Sequence, residues 1–107
     1  MSTEDFIEFG NAYLDINPTA NVLQEYVAKS YMSIKKWREA KHHFWRAIER
    51  TTSRDSRGTF YYSIGVCNKH LGEYEEALEY MKKAKELGES FPEQFLNEVR
   101  SKINKSK

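Results

Sequence analysis

Thiols are almost absent from this chain. Cys67 is the only cysteine, so no internal disulfide can form, and such usage is expected of a reducing compartment. Proline is scarce as well: Pro18 and Pro92 are the only two, which leaves the stretches between them free to run as helix. Charge of one sign is lacking too. The net charge is +1, which removes any global electrostatic argument for nucleic acid or an anionic membrane as partner. No apolar run reaches the roughly 18 residues of a membrane span. The acidic opening MSTEDFIEFG lacks the basic-then-apolar pattern of a secretory signal. The expectation is one cytoplasmic domain over residues 1–107, large enough for a modest core.

Catalytic signatures are missing in the same way. There is no glycine-rich phosphate loop. Cys67 and His70 fall on one helical face, but no acidic residue is placed to orient the histidine, so Cys67 reads as a packing residue. His42 and His43 are adjacent and point in different directions, so they cannot share a metal ion from one helix; both read as surface or flanking residues. Glu75, Glu76 and Glu79 read as a solvated acidic face, not as a carboxylate pair for acid–base work. The Asn104-Lys105-Ser106 glycosylation match reads as chance in an intracellular protein. No cofactor, no metal and no enzymatic activity are expected.

What the chain does have is aromatic residues, at 14%, and apolar side chains at helical spacing almost throughout. The stripes are Phe6/Phe9/Tyr13/Ile16, Leu23/Val27/Tyr31/Ile34, Trp37/Ala40/Phe44/Ala47/Ile48, Phe60/Ile64/Cys67/Leu71, Tyr74/Ala77/Leu78/Met81/Ala84 and Phe95/Leu96/Val99/Ile103. They predict six helices, near 3–16, 20–34, 37–50, 58–71, 74–88 and 92–104. Asn17-Pro18 ends the first, because the residue before proline is pushed out of the helical region. Gly72 and Gly88 are candidates for left-handed caps. The polar stretch TTSRDSRG at 51–58 reads as a loop, with Ser56 or Asp55 capping the helix after it.

The chain also repeats itself. A shift of 37 residues lays KKWREAKHHFWRA (35–47) on GEYEEALEYMKKA (72–84): Trp37 meets Tyr74, Ala40 meets Ala77, Phe44 meets Met81 and Ala47 meets Ala84. The same shift lays Val27 on Ile64 and Ala28 on Gly65. The repeated unit is a helical hairpin whose small residues let its helices lie close together, and one hairpin cannot bury its apolar face alone. Charge differs between the copies. Residues 35–50 are mainly basic and 72–89 mainly acidic, which predicts compensation between neighbouring hairpins or, less directly, a bipolar surface for head-to-tail contacts. Trp45 is expected to rest on the next hairpin. Phe6, Phe9 and Tyr13 look like the second helix of a pair without its first, so something must cover that face.

At these residues the sequence resembles a tetratricopeptide repeat protein. Ile64-Gly65, Ala77, Met81, Ala84 and the turn LGEYEEAL (71–78) fit that pattern, with departures at Gln24 and Asn68. The resemblance implies an all-α, right-handed α-solenoid of antiparallel helical hairpins. Residues 3–16 would form a partial repeat, 20–52 and 58–90 two repeats, and 92–104 a capping helix. It further implies a non-enzymatic protein–protein interaction module that holds a peptide segment or partner helix in a concave groove. The groove residues would be Lys29, Tyr62, Val66, Lys69, Leu96 and Arg100, with the three cations suited to an acidic partner. A self-assembling scaffold, with homo-oligomer contact through the N-terminal helix, and a small chaperone for an assembly-prone subunit are the alternatives. The resemblance does not extend to a lysine–asparagine clamp, since Lys29 and Ser63 stand where that clamp has asparagine.

Overall fold

A computed structural model describes residues 2–105. Six helices follow one another, α1 (Thr3–Ile16), α2 (Asn21–Ser33), α3 (Trp37–Arg50), α4 (Arg54–His70), α5 (Tyr74–Glu86) and α6 (Glu93–Lys105), with no strand among the described residues. Each helix packs chiefly on its neighbours in sequence. The result is a stack longer than it is wide, 44 × 27 × 19 Å, as expected when short connections fold helices back on one another. Ser106 of the glycosylation match lies outside the described residues.

Local chemistry sets the helix ends. The Ser2 hydroxyl accepts from the Asp5 amide at 3.1 Å, and Glu4 and Asp5 sit in the first turn of α1, where the helix dipole favours them. Gly72 and Gly88 follow α4 and α5 with φ of 78° and 94°. The corresponding place in the first unit, 37 residues before Gly72, is held by Lys35 at φ 63°. Both turns close alike: the Tyr31 carbonyl accepts from the Lys36 amide at 2.9 Å, and the Asn68 carbonyl accepts from the Glu73 amide at 2.8 Å.

The polar stretch at 51–58 is mostly helix, contrary to the expected loop. Ser53, not Ser56 or Asp55, is the cap: its hydroxyl accepts from the Ser56 amide at 3.2 Å. Asp55 then supports the first turn through the helix dipole. Gly58 lies inside α4, where a Cβ would come 3.3 Å from that of Leu87, so the start of α4 runs close to the end of α5.

The core falls into two clusters. Ala28, Ala40, Phe44, Ala47, Ile48, Phe60, Ile64 and Cys67 fill the space among α2, α3 and α4. Ala77, Met81, Leu96 and Val99 join α5 to α6. Trp45 meets Tyr61 and Tyr80 edge-on, at 6.1 and 5.2 Å between ring centres, so it rests on the next hairpin as the sequence suggests. The apolar stripe read on α1 is not the one that packs. Ile7, Gly10 and Leu14 are buried instead, while Phe9, Tyr13 and Ile16 are 59%, 45% and 80% exposed. Gly10 explains the choice: a Cβ there would fall 2.5 Å from Val27, so α1 lies on α2 along the line where its backbone is bare.

Two amides enter this core with one side-chain partner each, while Gln24 Oε1 and Asn68 Nδ2 have none among the described residues. Gln24 and Asn68, the two departures from the repeat pattern, are both buried. The Gln24 amide meets His43 Nδ1, and the His43 ring lies over Tyr31, 5.3 Å between centres; His43 is therefore a packing residue of α3, not a surface one. Asn68 accepts from Lys41 Nζ at 3.1 Å. Lys41 also pairs with Glu73 at 2.8 Å and Glu76 at 3.8 Å, and Arg38 reaches Glu73 at 3.8 Å. The basic α3 and the acidic start of α5 thus compensate one another within the chain.

Three outcomes follow from this packing. Ala77→Leu overfills the α4–α5 contact and should lower stability by about 1–3 kcal/mol in denaturant titration. Lys35→Gly relieves a left-handed residue and should raise it by up to about 1 kcal/mol. Burial, then His42 and Arg46, lowers the His43 pKa to about 4, whereas an unfolded histidine protonates near pH 6.5. Its contribution is therefore complete above about pH 6.5 and is lost as pH falls toward about 4. The melting temperature should drop between about pH 7.5 and about pH 5, and His43→Gln should flatten that slope.

Candidate functional site

The open side of the stack is built from the helix faces that the core leaves free. Glu25 and Lys29 on α2 stand 37 residues before Tyr62 and Val66 on α4, so both helices turn equivalent positions to this side. Val22 is 68% exposed and Tyr26 55%, while Tyr62, Val66 and Lys69 are half-buried. Between the helices, Asn21, Val22 and Glu25 share a cleft of about 130 Å³ with Ser56 and Phe60.

The expected groove residues do not all meet here. Leu96 is 2% exposed and belongs to the core with Ala77, Met81 and Val99. It lies on the inward stripe of α6, where an apolar residue is sealed by α5, and it is removed from the candidate surface. Tyr62 forms an aromatic seam with Phe91 and Phe95 of the α6 end, at 5.1 and 5.9 Å. Lys69 lies 4.5 Å above the Phe95 ring and 2.6 Å from Glu98. That ammonium holds the Glu98 carboxyl below the usual carboxylate range.

All three cations have internal partners. Lys29 meets Glu25 at 2.6 Å, Lys69 meets Glu98, and Arg100 stands 3.9 Å from Glu93. Ion pairs at the surface are weak, so Lys29 and Arg100 can exchange theirs for an external carboxylate at little cost, whereas Lys69, half-buried against Phe95, is held more firmly. Sequence reasoning also missed surface that the structure leaves bare. Tyr26 on α2 is open; the Phe9/Tyr13/Ile16 stripe of α1, which the sequence marked as a face needing cover, is open as well, because α1 packs on α2 through Ile7/Gly10/Leu14.

The side chains considered for chemistry are placed apart. Cys67 is buried, and burial pushes its thiol up to about 12, so it holds no thiolate near neutral pH. His70 stacks flat on Trp37, 3.9 Å between ring centres, and is lowered from its ordinary range chiefly by desolvation, then by Lys69 and Lys35. No cluster of three or more His, Cys, Asp or Glu able to hold a metal occurs among the described residues. No helix there is long and apolar enough to cross a membrane.

Residues 58–90, which take in most of α4, the Gly72 turn and all of α5, match the family model of the tetratricopeptide repeat. No curated protein matches the chain. Repeats of this family generally mediate protein–protein interaction. Residues 58–90 thus carry a match to the tetratricopeptide repeat, and the six sequential helices folded into hairpins around them are consistent with a helical repeat solenoid.

Proposed function

We propose that the open side of α2 and α4 holds a segment of another protein, without covalent chemistry. The observation that carries this reading is the pairing of bare apolar surface with exchangeable charge on one side of the stack. Val22 and Tyr26 are exposed, Tyr62 and Val66 are partly so, and Lys29, Lys69 and Arg100 stand in ion pairs, Lys69 also over the Phe95 ring. The apolar side chains supply contact area. The cations swap Glu25, Glu98 and Glu93 for carboxylates of the bound segment, which favours an acidic partner and fixes its register. A preformed helical scaffold loses little conformational entropy on binding.

Peptides selected on the purified chain from a displayed library test this. Their binding should shift the backbone amide resonances of Lys29, Tyr62, Val66 and Lys69 more than those of the opposite faces of α3 and α5. Tyr62→Ala with Lys69→Glu should weaken the selected peptides about tenfold or more. Val22→Ser with Lys29→Glu changes only exposed positions and should weaken them by a similar factor with an unchanged melting temperature. Selected peptides that bind both variants as they bind the parent would remove the reading.

A further inference from the structure

The N-terminal helix carries a surface that the groove does not use. Along α1 three stripes run side by side, each displaced by one residue and hence by about 100° around the axis. Ile7, Gly10 and Leu14 face α2 and are buried. Phe6, Phe9, Tyr13 and Ile16 come next. Phe9, Tyr13 and Ile16 are exposed, and the Phe9 and Tyr13 rings stack at 6.5 Å. Asp5, Glu8 and Asp15 form the third stripe, all exposed. The apolar stripe continues onto α2, because Phe6 and Tyr26 line a common cleft of about 360 Å³ with Ser2, Thr3 and Ser30.

Charge around this strip is one-sided. The first 28 residues hold Glu4, Asp5, Glu8, Asp15 and Glu25 and no lysine or arginine; all 17 basic residues follow. Glu4 and Asp5 are accounted for by the helix dipole. Glu8 and Asp15 are not, and among the described residues no ion pair engages any of the four carboxylates of α1. An apolar strip flanked by uncompensated acids complements a helix with an apolar face and lysine or arginine beside it.

A second copy of this chain fits poorly. Two α1 faces meeting antiparallel about a two-fold axis would set acids against acids. A head-to-tail contact would need an apolar patch elsewhere, yet the exposed large apolar residues described, Phe9, Tyr13, Ile16, Val22 and Tyr26, all belong to α1 and α2. The outward side of α6 instead carries Gln94, Asn97, Glu98, Ser101 and Lys102.

We infer that the α1 face, from Phe9 and Tyr13 to the Phe6–Tyr26 cleft, docks a basic amphipathic helix of another protein. The bound helix lays its apolar side on Phe6, Phe9, Tyr13 and Tyr26 and sets its cations beside Asp5, Glu8 and Asp15. Its α1 residues lie outside the open side proposed above, and the two surfaces border one another at Tyr26.

Fluorescence anisotropy with three synthetic helices tests it. Each is as long as α1 and has leucine on one side, with lysine, glutamine or glutamate beside the leucines. The lysine helix should bind, about tenfold or more tighter than the glutamine helix, with no binding of the glutamate helix, and should weaken as salt rises from about 50 mM to about 500 mM. Phe9→Ser with Tyr13→Ser should abolish binding. Glu8→Lys with Asp15→Lys should shift preference to the glutamate helix, and Tyr62→Ala with Lys69→Glu should change nothing. These α1 positions are exposed, so an unchanged circular dichroism melt is expected and checks the fold. Equal binding of all three helices, no binding of the lysine helix, or indifference to the Phe9/Tyr13 substitutions would overturn the inference. So would a dimer in sedimentation equilibrium that the Phe9/Tyr13 substitutions dissociate, since that outcome gives the face to a second copy.

Discussion

The stack depends on how closely neighbouring backbones approach. A Cβ on Gly65 would fall 2.9 Å from Met81 Cγ and 3.3 Å from the Ala77 carbonyl oxygen. No side chain separates α4 from α5 at that point. The same shift of 37 residues places Ala28 and Ala40 at the matching crossing of α2 and α3, both fully buried. Small residues at the crossing let larger ones interlock beside it: Phe44 and Ile64 in one cluster, Met81 and Leu96 in the other. Interiors packed at crystal-like density leave no slack for a larger group at such a contact. The relation between each helix and the next, and with it the direction every outer face points, follows from this constraint.

Polar residues add registration to that apolar contact. Gln24 and Asn68 break the repeat pattern, yet each is buried against α3, through His43 and Lys41. A buried polar group without a partner is costly, so these contacts favour one arrangement of the helices over shifted alternatives. Lys41 links α3 to Asn68 and to Glu73 at the turn into α5. Part of the opposite charge of the two hairpins is thereby spent on holding them together, through Arg38 and Lys41 against Glu73 and Glu76.

Two outer surfaces result, and they differ in kind. Along α2 and α4, apolar side chains alternate with cations that already have internal partners. Along α1, an apolar strip borders acids that no ion pair among the described residues engages. On the readings proposed above, the first receives an acidic segment that exchanges ion pairs, and the second a basic helix.

Much of this was legible in the sequence. Helical spacing, the Gly72 and Gly88 caps, the Asn17-Pro18 break and the 37-residue echo determined six helices, their approximate ends and their hairpin order, because each depends on residues close together in the chain. The start of α4 was misread, since Ser53 and Ser56 cap by a contact that the polar composition of 51–58 conceals. Tertiary structure alone decided which of two apolar stripes on α1 is buried, because the answer lies with Val27 of another helix and the bare backbone at Gly10. It alone placed Leu96 inside, His43 against Gln24, and Lys69 on Glu98. Periodicity marks which residues share a face; only the neighbouring helix determines whether that face is covered.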